Sequence, residues 1–149
     1  MRAVIQRVKK ASVTVDGKVI SEIDKGLLVL LGITDTDTEK DADYIAEKTV
    51  FARIFTDSED KMNLSLQDVG GEILVVSQFT LYGDIRKGRR PSFIRAAKGE
   101  ISEPMYELVC KKIRDMGVTV KKGIFGADML VELQNDGPVT LLLESDRSF

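Results

Sequence analysis

The sequence predicts an α+β protein in which a mostly antiparallel β-sheet closes into a barrel-like core and carries two helices. Segments with the composition of strands outnumber helical segments, in the order β-β-β-α-β-α-β-β-β. The 149 residues are 43% hydrophobic and 31% charged, a globular balance, and we expect residues 1–149 to form one domain. Because two helices cannot cover both faces of a sheet of about seven strands, the remaining apolar face must close on itself or meet a partner, which favours a homodimer.

The N-terminal part of the chain predicts three strands, two of them in a hairpin. Residues 2–8 are rich in β-forming residues. Segments 13–15 and 18–20 flank Asp16-Gly17, a dipeptide that supplies the positive φ angles of a type I′ turn. The continuous apolar run 26–33 has the length of one strand and predicts a strand that is buried on both faces.

The middle of the chain predicts a helix, a loop and a further strand. Thr38 and Asp41 have the spacing of a capping box, which predicts a helix from there to about Phe55. Residues 56–71 are polar and end in glycine, so we expect a long loop. Residues 73–77 predict another buried strand.

The C-terminal part predicts a second helix and the closing strands. Residues 82–100 predict an irregular stretch that is rich in Arg and Lys. Ser102 is placed to cap a helix over 103–116, with Gly117 as its stop. Three strands are then expected, over residues 118–122, 129–133 and 139–144.

The composition excludes several kinds of catalysis. The sequence contains no histidine, which removes Ser-His-Asp and Cys-His catalysis and every imidazole base. The single cysteine, Cys110, lies among apolar positions of the second helix, so we expect it in the core and not as a nucleophile. We predict neither a metal nor a cofactor, because the sequence lacks cysteine-rich zinc spacing and a GxGxxG pattern before a helix.

Charge and hydropathy limit the expected cellular location of the protein and its possible binding partners. The formal net charge of −2 disfavours a protein that holds long nucleic acids by charge alone. The apolar runs are far shorter than a membrane span, and the charged N-terminus lacks the apolar core of a signal peptide. We therefore expect a cytoplasmic protein that does not associate with membranes.

Three segments carry residue types that suit a functional site. Ser77, Gln78, Phe79 and Thr80 stand at the end of the predicted strand 73–77, although polar residues that simply leave the core would look the same. Asn135-Asp136-Gly137-Pro138 is a turn signal, which an ordinary hairpin also explains. The third segment, 84–100, contains six basic and two acidic residues; it suits phosphate contacts or a solvated loop, and its basic residues include Arg86, Lys87, Arg89 and Arg90.

Taken together, these segments resemble the D-aminoacyl-tRNA deacylase family, also called the D-tyrosyl-tRNA deacylases. The resemblance is carried by Ser77-Gln78-Phe79-Thr80-Leu81 and Asn135-Asp136-Gly137-Pro138-Val139-Thr140, a pair that is highly specific at this separation. Neither motif departs from the family's pattern. The similarity runs nearly end to end, with further matching stretches at 1–8, 26–32, 89–93 and 126–129.

The resemblance implies a homodimeric enzyme that hydrolyses the ester between a D-amino acid, or glycine, and the 3′ end of a tRNA. It implies a site shared between subunits, in which the cis Gly137-Pro138 pair of one copy enters the pocket of the other and excludes L-amino acids. The catalytic residues would be Ser77, Gln78, Phe79 and Thr80. Supporting roles in holding the Gly-Pro motif fall to Arg7, Met129 and Asn135.

The mechanism stays open between two routes. Without histidine, the hydroxyl of Thr80 lacks an activating base, so we favour attack assisted by the ribose 2′-hydroxyl of the tRNA, with backbone N–H groups near Phe79 and Thr80 holding the oxyanion. The alternative route uses Thr80 as the nucleophile. Two other functions remain: a non-catalytic module that binds RNA ends through the basic stretch, and, less favoured, an oligomer that binds a small molecule.

Overall fold

The structure is a computed structural model, and it describes residues 1–148. This part of the chain forms eight strands and two α-helices, and the helices lie between strands in the sequence. The strands are β1 (Arg2–Val15), β2 (Lys18–Ile23), β3 (Gly26–Gly32), β4 (Phe55–Thr56), β5 (Met62–Leu64), β6 (Glu72–Ser77), β7 (Val120–Lys122) and β8 (Leu130–Glu144). The helices are α1 (Glu39–Phe51) and α2 (Gly99–Asp115), and a short 3-10 helix covers Phe79–Tyr82.

Strand β1 is the centre of the main sheet. One of its edges pairs antiparallel with β3 through residues 2–8 and with β2 through residues 11–15. Its other edge pairs antiparallel with β8 from Arg2 to Thr14. Beyond β3 the sheet continues through β6 and β7, which are parallel to their neighbours. The predicted α+β class with a mostly antiparallel sheet is confirmed.

The sheet curls until β2 lies against β7, which gives the nearly closed barrel. Side chains bridge the two strands: Ser21 Oγ donates to the carbonyl oxygen of Lys122, and Lys121 Nζ donates to that of Glu22 at 2.7 Å. The barrel-like closure predicted from the shortage of helices is therefore confirmed.

The apolar run of β3 is buried on both faces, as predicted. Leu27, Val29 and Leu31 join the core beneath the two helices, whereas Leu28 faces a second cluster inside the barrel with Leu74. Successive side chains of a strand point to opposite faces, so a strand packed on both sides needs an unbroken apolar sequence.

Gly26 sets how closely β3 and β6 approach. A Cβ atom on Gly26 would lie 1.9 Å from the carbonyl oxygen of Glu72, which is backbone and cannot move aside cheaply. We expect Gly26→Ala to lower the free energy of unfolding by more than about 3 kcal/mol. Gly88→Ala is the matched control, because a Cβ there has open space within 4 Å. Denaturant unfolding of both variants checks this, and equal stabilities would contradict it.

Four segments predicted as separate strands form two longer ones. The segments 2–8 and 13–15 belong to the single strand β1, and the segments 129–133 and 139–144 are joined in β8. The register of β1 with β8 shifts between Gln6 and Val8 and again between Val8 and Lys10. The turn signal at 135–138 therefore marks an irregularity within a paired strand, and the hairpin interpretation is wrong.

The predicted ends of both helices also need correction. Helix α1 ends at Phe51 and not near Phe55, because Phe55 pairs with Leu64 in a small hairpin of β4 and β5 that occupies the predicted loop. Helix α2 begins at Gly99, about one turn before the predicted start. The expected cap, Ser102, lies inside the first turn, where its N–H and hydroxyl both donate to the carbonyl oxygen of Lys98.

Helix α2 anchors the strand that leads to the predicted site. The hydroxyl of Tyr106 is buried and donates to the carbonyl oxygen of Val75 in β6 at 2.8 Å. Cys110 is fully buried on the same helix, and burial raises the pKa of its thiol to about 11. A thiol with so high a pKa fits the predicted core position. Within residues 1–148, no helix is long and apolar enough to cross a membrane.

Candidate active site

A cavity of about 380 Å³ opens where β3 and β6 end. The two strands are parallel and Leu31 is in register with Ser77, so their carboxyl ends meet at one edge of the sheet. The start of α2 and the loop 123–129 form the other walls. The lining is mainly apolar, and its uncharged polar side chains are Ser77, Gln78 and Ser102.

The predicted segment 77–80 forms the floor and rim of this cavity. Ser77 is the last residue of β6, and the N–H of Gln78 donates to the carbonyl oxygen of Leu31 at 2.7 Å before the chain enters the 3-10 helix. Ser77, Gln78 and Phe79 line the cavity, whereas Thr80 is exposed beside it. The side-chain amide of Gln78 donates to Thr80 Oγ1.

The first N–H groups of the 3-10 helix are available to a ligand. Among residues 1–148, the N–H groups of Phe79 and Thr80 have no recorded acceptor. The first amides of any helical turn lack a partner within the turn. Two adjacent N–H groups at the rim of an apolar cavity can stabilise a negatively charged oxygen.

The basic stretch lies directly beside this rim. Its tip, the basic loop 84–92, is closed by two backbone hydrogen bonds between Asp84 and Ser92, at 2.8 and 2.9 Å. Phe93 follows the loop and packs edge-on against Phe79, with ring centroids 5.1 Å apart. This aromatic contact joins the basic loop to the cavity.

The four predicted basic residues are all exposed, but they are not equivalent. Arg86 forms two hydrogen bonds to the carboxylate of Asp84, at 2.9 and 2.6 Å, and this pairing holds the pKa of Asp84 below its usual range. Lys87, Arg89 and Arg90 have no recorded ion pair within residues 1–148. These three residues carry the net positive charge of the loop.

The segment 135–140 forms a bulge in β8 that one asparagine holds together. Asn135 Nδ2 donates to the carbonyl oxygens of Arg7 and Val139, both at 3.0 Å, and Thr140 Oγ1 donates to Asn135 Oδ1 at 3.2 Å. The Gly137-Pro138 peptide bond is cis, as the resemblance implied. Gly137 has a φ of +119°, a conformation that side-chain-bearing residues rarely adopt.

Arg7 holds the bulge through contacts of its guanidinium group with Asp136. Its Nε donates to the carbonyl oxygen of Asp136 at 3.2 Å and lies 3.3 Å from the carboxylate of the same residue, and its Nη1 donates to the carbonyl oxygen of Ile54 at 2.7 Å. The side chain is only 10% exposed. The guanidinium group therefore fixes the backbone just before Gly137.

Met129 lies at the cavity, and its predicted support of the Gly-Pro motif of a second copy stays a prediction. It lines the cavity, and a Cβ on Gly123 would be 2.5 Å from its sulfur atom. Within residues 1–148, the lining of this cavity does not include Gly137 or Pro138. One copy of the chain thus brings together 77–79 with Met129, and separately Arg7 with Asn135 and Gly137.

One wall of the cavity is formed by residues that carry no site signal in the sequence. Ala97, Gly99 and Ser102 line it from the start of α2. The sequence predicts the start of the helix at residue 103, a turn later than it is, so these residues are not predicted to face a cavity. The backbone hydrogen bond from Ala97 to the carbonyl oxygen of Ile33, at 2.9 Å, ties this wall to the end of β3 and leaves no periodic signal in the sequence.

Known proteins match both the chain and its fold. The family model described as D-Tyr-tRNA(Tyr) deacylase matches residues 4–144. A D-aminoacyl-tRNA deacylase of Clostridioides difficile is 60% identical over 149 residues, 100% of each chain, and one of Thermus aquaticus is 59% identical over 97% of this chain and 95% of its own. A solved structure titled c-Myc DNA Unwinding Element Binding Protein superposes with a TM-score of 0.91 at 44% identity, over 97% of this chain and 98% of its own.

A second solved structure supports the fold alone. It is titled as a probable eukaryotic D-amino acid tRNA deacylase, and it matches with a TM-score of 0.81 at 21% identity, over 95% of this chain and 97% of its own. Fold and relatives together define the class predicted from the sequence, a hydrolase that acts on the ester of an aminoacyl-tRNA. The chain belongs to the D-Tyr-tRNA(Tyr) deacylase family.

Proposed function

We propose that this protein hydrolyses the ester between a D-amino acid, or glycine, and the terminal adenosine of a tRNA, and leaves L-aminoacyl-tRNA intact. The single observation that carries the proposal is the mainly apolar cavity at the end of β6, with the N–H groups of Phe79 and Thr80 beside it, for which residues 1–148 provide no recorded acceptor. Such a site suits an ester whose carbonyl oxygen becomes negative during the reaction.

The oxyanion would be held by the backbone and not by a side chain. The N–H groups of Phe79 and Thr80 belong to a turn that β6 and the contact of Gln78 with Leu31 hold in place. Fixed donors need not reorganise as charge develops, which is how a preformed oxyanion hole lowers the barrier. Ser77 and Gln78 then serve to shape the floor and to orient Thr80.

The attacking oxygen would come from the substrate. Thr80 Oγ1 accepts a hydrogen bond from the amide of Gln78, and within residues 1–148 it has no recorded contact with a carboxylate or an amine that could take its proton. An unactivated hydroxyl is a weak nucleophile near neutral pH. The ribose 2′-hydroxyl lies next to the 3′-ester in the substrate itself, so attack assisted by it needs no protein base at Thr80.

Selection against L-amino acids would come from the bulge 135–140. Gly137 lacks a side chain and can approach a substrate Cα closely, and Arg7 and Asn135 fix the backbone around it. An L side chain would collide with that backbone, whereas D-amino acids and glycine would present only hydrogen there. Exclusion of the wrong partner by a steric clash is an efficient source of specificity.

A second copy of the chain would complete the site. Within one copy, Gly137 and Pro138 do not line the cavity, and the described pairing of β8 is along one edge only, with β1. A long unpaired edge strand with exposed Leu130 and Leu142 is expected to be covered. We predict a homodimer at micromolar concentration; sedimentation of a monomer would defeat both the dimer and the shared site.

The basic loop would hold the phosphates near the 3′ end of the tRNA. Replacing Arg89 and Arg90 with Ala should weaken binding of all tRNAs similarly and lower the slope of log K against log[salt] by about 1 for each phosphate that the variant no longer binds. A variant with Lys18 and Lys40 replaced by Ala controls for net charge, since both residues are exposed and lie outside the loop. Titrations over a range of salt concentrations check this. Identical slopes for the variant and the intact protein would show that the loop is only solvated and does not bind tRNA.

A deacylation assay separates the enzyme from the binding module. Purified protein is mixed with D-tyrosyl-, L-tyrosyl- and glycyl-tRNA, and loss of the ester is followed. We expect turnover of the first and third substrates only. Binding to tRNA without any turnover would favour the RNA-end-binding module instead. Because the proposed substrate is used in translation, a cytoplasmic location remains part of this proposal.

A further inference from the structure

Arg2 connects the short 3-10 helix Phe79–Tyr82 to the main sheet. Its Nη1 donates to the carbonyl oxygen of Leu81 at 3.0 Å. This carbonyl group stands at the C-terminal end of the helical turn, where carbonyl groups lack a partner within the turn. Among residues 1–148, Arg2 is the one recorded donor to it. The guanidinium group therefore satisfies an acceptor that the 3-10 helix itself leaves open.

The same guanidinium group is also held on its other side. Arg2 Nε donates to Glu144 Oε1 at 2.6 Å, and the central carbon of the guanidinium group lies 4.7 Å from the centre of the Tyr82 ring. The Glu144 side chain is only 7% exposed, and Ser148 Oγ donates to its second carboxylate oxygen. A charge-assisted pair with a nearly buried carboxylate has few alternative geometries. The side chain of Arg2 is thus a fixed link between β8 and the 3-10 helix.

The sheet brings these groups together because Arg2 is the first residue of β1. It is in register with Gly32 of β3 on one edge and with Glu144 of β8 on the other. The 3-10 helix packs on Gly32, where an added Cβ would lie 3.0 Å from the carbonyl oxygen of Gln78 and 3.1 Å from the Cβ of Leu81. The start of the turn is held by the N–H of Gln78, which bonds to β3, and its end is held by Arg2.

Arg2 acts at a distance from the cavity. Within residues 1–148, the cavity lining includes neither Arg2 nor its partners Tyr82 and Glu144. The turn that they hold carries the N–H groups of Phe79 and Thr80 at its start. The 3-10 helix has only four residues, about one turn, so a movement of its end also changes the directions of its first N–H groups. Donors to an oxyanion are most effective when their directions are fixed before charge develops.

We propose that Arg2 is a positioning residue for the hydrolysis of the ester: by holding the carbonyl group of Leu81, it fixes the directions of the N–H groups of Phe79 and Thr80. This inference rests on the proposed function, because it assumes that these two N–H groups stabilise the oxyanion. Arg2 neither contacts the substrate nor transfers a proton. Its loss is therefore expected to slow the chemical step and to leave substrate binding nearly unchanged.

Arg2→Met tests the positioning role, because methionine keeps an apolar stem beside Tyr82 and removes the guanidinium group. With D-tyrosyl-tRNA we expect kcat to fall at least about tenfold and KM to change by less than about twofold. Hydrogen exchange, measured without substrate, is the second readout. The amides of Leu81 and Gly83, whose hydrogen bonds close the turn, should exchange about tenfold faster relative to the amides of β3.

Lys112→Met is the matched control. Like Arg2, Lys112 is a largely covered cation with two acceptors, because its Nζ lies 2.9 Å from the carboxylate of Glu39 and 2.5 Å from that of Asp43. It joins α2 to α1 and lies outside the cavity lining that residues 1–148 provide. We expect this variant to lose stability but to keep kcat and the relative exchange rates of the same two amides.

Glu144→Gln supplies a second variant if Arg2→Met does not fold. Glutamine keeps an oxygen atom that accepts from Arg2 Nε, but the bond loses its charge assistance. We therefore expect a smaller fall in kcat, of about threefold, with faster exchange at Leu81 and Gly83. The inference is overturned if the folded variant keeps kcat or the relative exchange rates, or if KM rises while kcat is kept. If the intact protein does not hydrolyse D-tyrosyl-tRNA, the proposed function fails, while the exchange rates still decide whether Arg2 fixes the turn.

Discussion

A D-aminoacyl-tRNA whose terminal adenosine lacks the 2′-hydroxyl is expected to be hydrolysed at least about a hundredfold more slowly than the natural substrate. The reason is that the described residues around Thr80 offer its hydroxyl only an amide donor, from Gln78, and no base. If the protein contributes position and fixed N–H donors, the attacking or proton-transferring oxygen must come from the ribose. Single-turnover assays with the two substrates measure the difference.

The side chain of Thr80 provides the matching test from the protein side. Thr80→Val keeps the shape of the residue and removes its oxygen, and with it the hydrogen bond from Gln78. We expect turnover to fall by no more than about fivefold, because only this neutral hydrogen bond is lost and no nucleophile is removed. The intact protein should bind the deoxy substrate nearly normally, so that the slower hydrolysis of this substrate reflects the chemical step and not weaker binding. An inert Thr80→Val enzyme combined with normal turnover of the deoxy substrate would establish Thr80 as the nucleophile.

Replacing Gly137 with alanine is expected to reduce D-aminoacyl-tRNA turnover by about a hundredfold and to lower the preference for D over L by at least about tenfold. A Cβ at this position would lie 2.9 Å from Val139 Cγ2, 3.0 Å from Arg7 Nη2 and 3.1 Å from the amide nitrogen of Val139, in a backbone conformation of φ +119° that disfavours any side chain. The bulge must therefore shift, and the surface that would exclude an L side chain shifts with it. Turnover of D- and L-tyrosyl-tRNA measures both effects.

Mixed dimers distinguish a displaced bulge from a damaged fold. Gly137→Ala and Phe79→Pro, which removes one of the two proposed oxyanion donors at the first position of the 3-10 helix, would each inactivate a different half of a shared site. A mixture of the two variants should then recover up to about a quarter of the original activity, because half of the dimers are mixed and each mixed dimer has one intact site. No recovery from two folded variants that exchange subunits would place both halves of the site in the same copy.

The sequence predicts the fold best where a local pattern and the tertiary structure require the same thing. The unbroken apolar run of β3 correctly indicated a strand between two cores, and the capping pair Thr38 and Asp41 correctly placed the start of α1, where both halves of the capping box are present. The resemblance to a known family carried the assignment of function, since the residues alone left hairpin and solvated-loop interpretations open.

The errors arose where long-range contacts override local signals. Asn135-Asp136-Gly137-Pro138 has the composition of a turn, yet β8 continues through it because β1 offers hydrogen-bonding partners on both sides of the bulge and Arg7 holds the backbone between them. The sequence predicts too late a start for α2 because Ser102 is typical of a cap, whereas the hydrogen bond from Ala97 to the distant carbonyl oxygen of Ile33 fixes the chain just before Gly99. The cavity, which depends on that start, could not be predicted.

The double pairing of β1 has a consequence for how the protein is made. A ribosome synthesises β1 before any other strand, and β8, which covers one whole edge of β1, only after β7. For most of translation the growing chain therefore carries an exposed template for strand addition, which makes it prone to pair with other nascent chains. The bulge that carries Gly137 and its brace from Arg7 can form only when β8 has left the exit tunnel, so the proposed proofreading element is the last part of the sheet to come into existence.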